Sequence, residues 1–304
     1  MKYPFKKMKK IKPYDEYQSL SLKPEDLNAK LEAAVSLGTP VSAGKMGMVE
    51  IMSVNHYLIQ RERGERTLYR GIGQLMYLNA GIFPASIKSF DEFNEVYLSY
   101  FPDLDFFGMW VYGPERHGAA EKLVYEEYTK DAHIVGCDWM PWNYENPWIS
   151  TLKGKKVLVI SPFSQTIHKQ YLMREKIWDN DDILPRLDEL ITIKCPLSAG
   201  LQESPFASWT EGLRAMEKQM ETTDFDVCLV GAGAWGLPLA VHAKRLGKVG
   251  IHMGGDTQLL FGIKGKRWDD NPGMSDKLYN EYWVRPSEEE TPDNNVFIEG
   301  GCYW

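Results

Sequence analysis

From Gly154 to His252 the chain alternates strand-length apolar runs with helix-length amphipathic runs, and this alternation restricts the fold more than any other feature. Lys156 to Ile160, Leu190 to Lys194, Phe225 to Val230 and Lys248 to His252 have the length and composition of strands. Thr166 to Trp178, Ser208 to Glu221 and Ala234 to Leu246 have helical spacing, with Trp209, Leu213, Met216 and Met220 along one side of the second. Strands that are apolar along their whole length need cover on both faces, which crossover helices on a parallel sheet provide. The pattern predicts an α/β fold: a Rossmann-like, doubly wound, mostly parallel sheet.

The first half carries the same signal more weakly. Leu22 to Leu37 reads as a helix closed by Gly38, and Pro40 to Gly44 as a strand that passes through Gly44-Lys45-Met46-Gly47 into a helix ending near Arg61. Gly71 to Tyr100 is helical with a break at Gly81 to Ser86, and Asp105 to Val111 is a second strand. Residues 112–150 are aromatic-rich and irregular, an insertion that could wall a site. The 304 residues fit one core. We divide them into a basic tail, 1–21, and one domain, 22–304, with an N-terminal half (22–150), a nucleotide-binding half (151–270) and a C-terminal tail (271–304).

A formal net charge of −7 argues against nucleic acid as a partner, which normally meets an extended basic face. Lys2, Lys6, Lys7, Lys9, Lys10 and Lys12 could touch an anionic membrane surface peripherally, although a solvated tail explains them as well. No run reaches the length of a spanning helix and the first thirty residues lack a secretory apolar centre, so a cytoplasmic location is expected. The 4 cysteines form no CxxC pair and the 6 histidines no HxxxH, so no closed zinc site is predicted.

The sharpest local motif is Gly231-Ala232-Gly233-Ala234-Trp235-Gly236, a GxGxxG run between an apolar strand and a helix. Glycines there let the backbone approach a diphosphate held by free helix N–H groups, or simply let helix and strand pack closely. A dinucleotide site also wants an acidic residue about 20 positions further on, where Ile251, His252 and Met253 stand instead. The next strand ends in His252-Met253-Gly254-Gly255-Asp256-Thr257-Gln258, and Lys264, Lys266 and Arg267 follow around Gly265. Together these turns make a candidate diphosphate cradle, while the basic loop alone could be merely solvated. Lys45, Gly47 and Glu50 surround the first strand-to-helix turn, and Asp103 and Asp105 precede the second strand. Glu50 is either a functional carboxylate or one that complements a helix dipole.

The runs KVLVISPFSQTIHKQY, FDVCLVGAGAWGLPLA, IHMGGDTQLLFGIKGKRW and YNEYWVRP with IEGGCYW together resemble bacterial and viral proteins assigned to the GT-D class of glycosyltransferases, over roughly residues 40–304. The resemblance implies a Rossmann-like sheet, a nucleoside-diphosphate-sugar donor, usually a UDP-sugar, often a divalent metal, and an acceptor on a surface glycan or glycoprotein. In the characterised branch the first turn reads Arg-Phe-Gly-Asp-Gly-Glu. Here it reads Lys45-Met46-Gly47-Met48-Val49-Glu50, so the glutamate stands and Met48 replaces the aspartate tied to metal. A thioether is a poor ligand for Mn²⁺ or Mg²⁺. The expected machinery is therefore Glu50 or Asp256 as base, with Lys45, Gly47, Gly231, Gly233, Gly236, His252, Gly254, Gly255, Gln258, Lys264, Lys266 and Arg267 around the donor; the metal ligands are unassigned. A non-catalytic sugar-nucleotide-binding protein and an NAD- or FAD-dependent oxidoreductase are the alternatives.

Overall fold

The computed structural model describes residues 14–65, 68–110, 115–137 and 139–304. The strands are β1 Val41–Lys45, β2 Phe106–Gly108, β3 His133–Val135, β4 Lys156–Ser161, β5 Glu189–Lys194, β6 Val227–Val230 and β7 Val249–His252. Among the described residues these form one 7-stranded sheet in the order β3-β2-β1-β7-β6-β4-β5, and every pairing is parallel. The chain is thus an α/β protein with a Rossmann-like sheet, and both halves of the sequence contribute strands to it.

Parallel strands need crossovers. In chain order the helices are α1 Tyr14–Leu20, α2 Pro24–Leu37, α3 Met48–Glu62, α4 Gly73–Leu78, α5 Ile87–Leu98, α6 Glu115–Tyr128, α7 Ser164–Tyr171, α8 Arg174–Ile177, α9 Trp209–Glu221, α10 Gly236–Arg245, α11 Asp256–Leu260, α12 Lys266–Asp269 and α13 Pro272–Leu278. The two-residue period of the strands sorts the core into two layers. Leu158, Ile160, Cys228, Val230 and Phe107 join the cluster that includes residues of α3, α5, α9 and α10. Val157, Val159, Val227, Leu229 and Phe106 join the cluster built with α2, α7 and Trp139, Trp148, Trp178, Trp268 and Trp283. Each such aliphatic side chain contributes roughly 1.5–3 kcal/mol of burial.

Local chemistry fixes the helix ends. Gly38 closes α2 in the left-handed conformation (φ 66°). Ser208 caps α9 by accepting from the Glu211 N–H, and the Glu211 carboxylate accepts from the Ala207 N–H in return.

Several expectations need correction. The helix predicted over Thr166 to Trp178 is broken into α7 and α8, and after the break Ile177 and Trp178 turn into the core, where the Trp178 indole donates to the Leu260 carbonyl at 2.8 Å. The second strand is three residues long, since Asp105 is used to hold the Ser42 N–H (2.8 Å); the predicted end at Val111 lies outside the described residues. Residues 112–150 are more regular than the sequence suggests and contain α6 and β3. The tail 1–21 is part helix: α1 buries Tyr17, whose hydroxyl donates to Glu126 at 2.8 Å, while the lysines up to Lys12 lie outside the described residues. The C-terminal tail folds back on the sheet, with Trp283 and Glu290 buried. No helix among the described residues is long and apolar enough to cross a membrane.

Candidate functional site

From β4 the chain crosses outward to β5, and from β6 it crosses the other way to β7. Adjacent β4 and β6 therefore mark a topological switch point, where open parallel sheets bind ligands beyond their carboxyl ends. A cleft lies there, between the turn after β4 (Pro162, Phe163) and the turn after β6 (Gly231 to Trp235), with Tyr303 and Trp304 on a further wall.

The three glycines of the fingerprint have different duties. A Cβ at Gly231 would lie 2.7 Å from Thr257 Cβ and 2.8 Å from the Gly254 carbonyl oxygen. One at Gly236 would lie 2.2 Å from ring atoms of His252. Both positions serve close packing between neighbouring strand ends. Gly233 differs: its φ is +53° and nothing stands within 4 Å of where a Cβ would be. It lines the cleft at the start of the 3-10 turn Gly233–Trp235 that leads into α10; the Gly236 N–H donates to the Gly233 carbonyl and Pro238 has no N–H, so what this end of the helix offers is the positive end of its dipole.

The other helix start at the switch point is already taken. Glu290, buried in the C-terminal segment, accepts from Gln165 N (2.7 Å), Thr166 N (3.1 Å) and the Thr166 hydroxyl at the beginning of α7. Of these two helix starts at the switch point, the Gly233 turn is the one that Glu290 leaves uncovered. Glu290→Ala should cost on the order of 3 kcal/mol in urea unfolding, because charge-assisted bonds are lost and buried donors left unpaired. Glu290→Gln, which keeps an acceptor, should cost clearly less; equal loss in both variants would refute the capping role.

Beside the cleft, at the ends of β1 and β7, lies a charged group. Lys45 Nζ donates to the Cys137 carbonyl at 3.1 Å and meets Asp256 Oδ2 at 3.4 Å, 5.9 Å from the ring centres of both Trp110 and Trp139. Glu50 is buried in the first turn of α3, its carboxylate folded so closely over Gly47 that a Cβ there would fall 2.3 Å from Oε2. Burial raises its pKa to about 7, against the lowering effect of its own backbone N–H and with a smaller push from Glu299. Burial, helped by the Lys45 charge, lowers the His252 imidazole to about 3, so it is neutral at physiological pH. His252 Nδ1, Thr257 Oγ1 and Gln258 Oε1 are buried here without a hydrogen-bond partner in the protein.

Of the expected residues, Gly231, Gly233, Gly254, Gly255 and Gln258 line the cleft, while Lys45, Gly47, Glu50, His252 and Asp256 form the adjoining group. Gln258 Nε2 ties together the carbonyls of Lys264 (2.9 Å) and Tyr303 (2.7 Å). The basic loop does not stand open to the cleft, because the C-terminal segment engages it. Lys264 lies over the Tyr279 ring, Lys266 Nζ reaches the Gly300 carbonyl, and Arg267 pairs with Glu299 and stacks on Tyr303, 4.7 Å from its ring centre. Asp103 and Asp105 are at the amino ends of β1 and β2, away from the carboxyl ends where the cleft lies, paired with Arg245 and Lys244. Sequence reasoning missed Phe163, Glu290, Glu299, Tyr303 and Glu121. The last is buried on α6, raised to about 8 by burial, and accepts the Trp110 N–H at 3.2 Å. The closing aromatic run was a usable signal for Tyr303; a lone acid in a polar helix gave none for Glu121.

Among the described residues no three His, Cys, Asp or Glu side chains come together as a cation-ligand set. Glu50 is folded onto Gly47 and Asp256 is engaged by Lys45, and Met48 offers no carboxylate, so these residues do not fit a divalent ion. Comparison with family models, with curated proteins and with solved structures finds no match for this chain.

Proposed function

We propose that the chain is a glycosyltransferase that moves a sugar from a nucleoside-diphosphate donor, a UDP-sugar in the first instance, to a hydroxyl of a surface glycan or glycoprotein. The observation that carries this is convergence: the turns after β4, β6 and β7, far apart in sequence, line one switch-point cleft, and the end of β1 and the turn after it set a lysine and a carboxylate beside it, with Asp256 on the lysine. On this reading the Gly233 turn receives the diphosphate and Lys45 faces the charge that develops as the sugar–oxygen bond breaks. The acceptor oxygen bonds to the anomeric carbon, the diphosphate leaves with the bonding pair, and the acceptor proton passes to Glu50. A carboxyl with a pKa near 7 suits a general base at neutral pH. Asp256 holds Lys45 in place.

UDP should raise the melting temperature more than NAD does, since the strand end that would hold a dinucleotide ribose carries buried, neutral His252 in place of an acid. A thermal-shift comparison of UDP, GDP, CDP, dTDP and NAD checks this, and stabilisation by NAD equal to or above that by UDP would sink the proposal in favour of an oxidoreductase. A second reading, a binding protein without turnover, draws on the engagement of Arg267 and Lys266 by the C-terminal segment. UDP-sugar hydrolysis by the purified protein separates the two.

A further inference from the structure

Two carboxylates of the C-terminal segment rest on positive features beside the cleft, and they differ in kind. Glu290 is buried and receives several bonds. The Glu299 and Arg267 side chains keep 38% and 42% of their exposure; around their ion pair stand the Cys302 thiol, in weak contact with both, and the Tyr303 ring, on which Arg267 stacks. Exposed pairs of this type exchange readily for a better partner.

The backbone beneath Glu299 points the same way. Glu299, Gly300 and Gly301 have φ of 50°, 72° and 78°, three left-handed residues in succession. Glycine adopts that region freely and glutamate does not. The turn is anchored on both sides: Ile298 is buried, and the Cys302 and Tyr303 carbonyls accept from Arg267 N (2.9 Å) and Gln258 Nε2 (2.7 Å). Displacement would therefore be confined to residues 299–301. The Glu299 charge also adds a small upward push to the Glu50 pKa.

We infer that Glu299 occupies, on Arg267, the place of an anionic ligand group, and that Arg267 is a phosphate-binding group of the donor site uncovered when the turn Glu299–Gly301 moves aside. This rests on the nucleoside-diphosphate reading of the cleft. A guanidinium binds phosphate oxygens in a planar, bidentate fashion that a diphosphate satisfies with more charge than one carboxylate brings. Arg267 stacks on Tyr303, which lines the cleft, so the uncovered group borders the cleft. Donor binding would then withdraw Glu299 from the base.

The test is calorimetric titration of the full-length chain with inorganic pyrophosphate, for the wild type, Glu299→Gln, Arg267→Gln and the double variant, with melting temperatures confirming that each is folded. Glu299→Gln should bind about three- to fivefold tighter than wild type. Arg267→Gln should bind more weakly, and the double variant should match it. No tightening in Glu299→Gln, or an equal gain with Arg267 already removed, would overturn the inference, the second because it would mark a general charge effect. An Arg267-dependent gain in a protein that never hydrolyses a UDP-sugar would keep this site and sink the transfer reading. Hydrolysis without that gain would do the reverse.

Discussion

Glu50→Gln should stabilise the protein at pH 8 by up to roughly 3 kcal/mol and leave its stability at pH 4 almost unchanged. In the native state burial lifts this carboxyl from 4.5 to about 7, so the folded protein holds a proton that the unfolded chain releases from about pH 4.5 upward. Stability from this group is therefore present below pH 4.5, falls as pH rises toward 7, and is flat beyond. Glutamine mimics the protonated form and has no such loss. Urea unfolding of both proteins at pH 4.5, 6 and 8 measures the difference, and a gap independent of pH would show that Glu50 does not titrate as its burial demands. Read from sequence as a strand-end carboxylate, Glu50 should scarcely affect stability; its burial changes that expectation. Transfer activity should move the other way and fall by roughly 10²–10⁴, the usual contribution of a general base. Full activity in the variant would remove Glu50 from the mechanism.

The fold was legible where hydrophobic pattern and caps agreed. The runs that became β4 to β7 are rich in Val, Leu and Ile, with a Gly or Pro within two residues of their carboxyl ends, and Ser208 and Gly38 mark helix ends by their own side-chain or backbone chemistry. β3 was not legible, because three residues are too few for a period and its neighbours supply the pairing. The site was half legible. Glycines signal tight backbone, yet sequence cannot say whether a ligand or another side chain fills the space: His252 fills it at Gly236 and nothing does at Gly233. The basic loop shows the same limit. Lys264, Lys266 and Arg267 are charges that a diphosphate or a chain segment could meet, and the segment that meets them begins more than ten residues later in the sequence. Long-range partners of that kind leave no local pattern.

Gly250→Ala should be the most damaging single-methyl change in the core, lowering stability by about 3 kcal/mol or more. Gly250 lies in β7 between Ser42 of β1 and Cys228 of β6, and α10 crosses directly over it. A Cβ there would sit 1.9 Å from the Ala240 carbonyl oxygen, 2.7 Å from its carbon and 2.9 Å from Ala243 Cβ. The first two obstacles are backbone, so no rotamer change relieves them and the helix must lift from the sheet. Because α10 begins at the fingerprint turn, lifting it would also displace Gly233 from the cleft. Gly233→Ala is the natural contrast, for there the added methyl meets open space and the cost is only that of the left-handed backbone, roughly 1–2 kcal/mol. Urea midpoints of the two variants should therefore differ clearly, with Gly250→Ala the lower. Should Gly250→Ala unfold within 1 kcal/mol of wild type, helix and strand are not in the close contact that sets the position of the turn, and the link between the core and the candidate phosphate site fails with it.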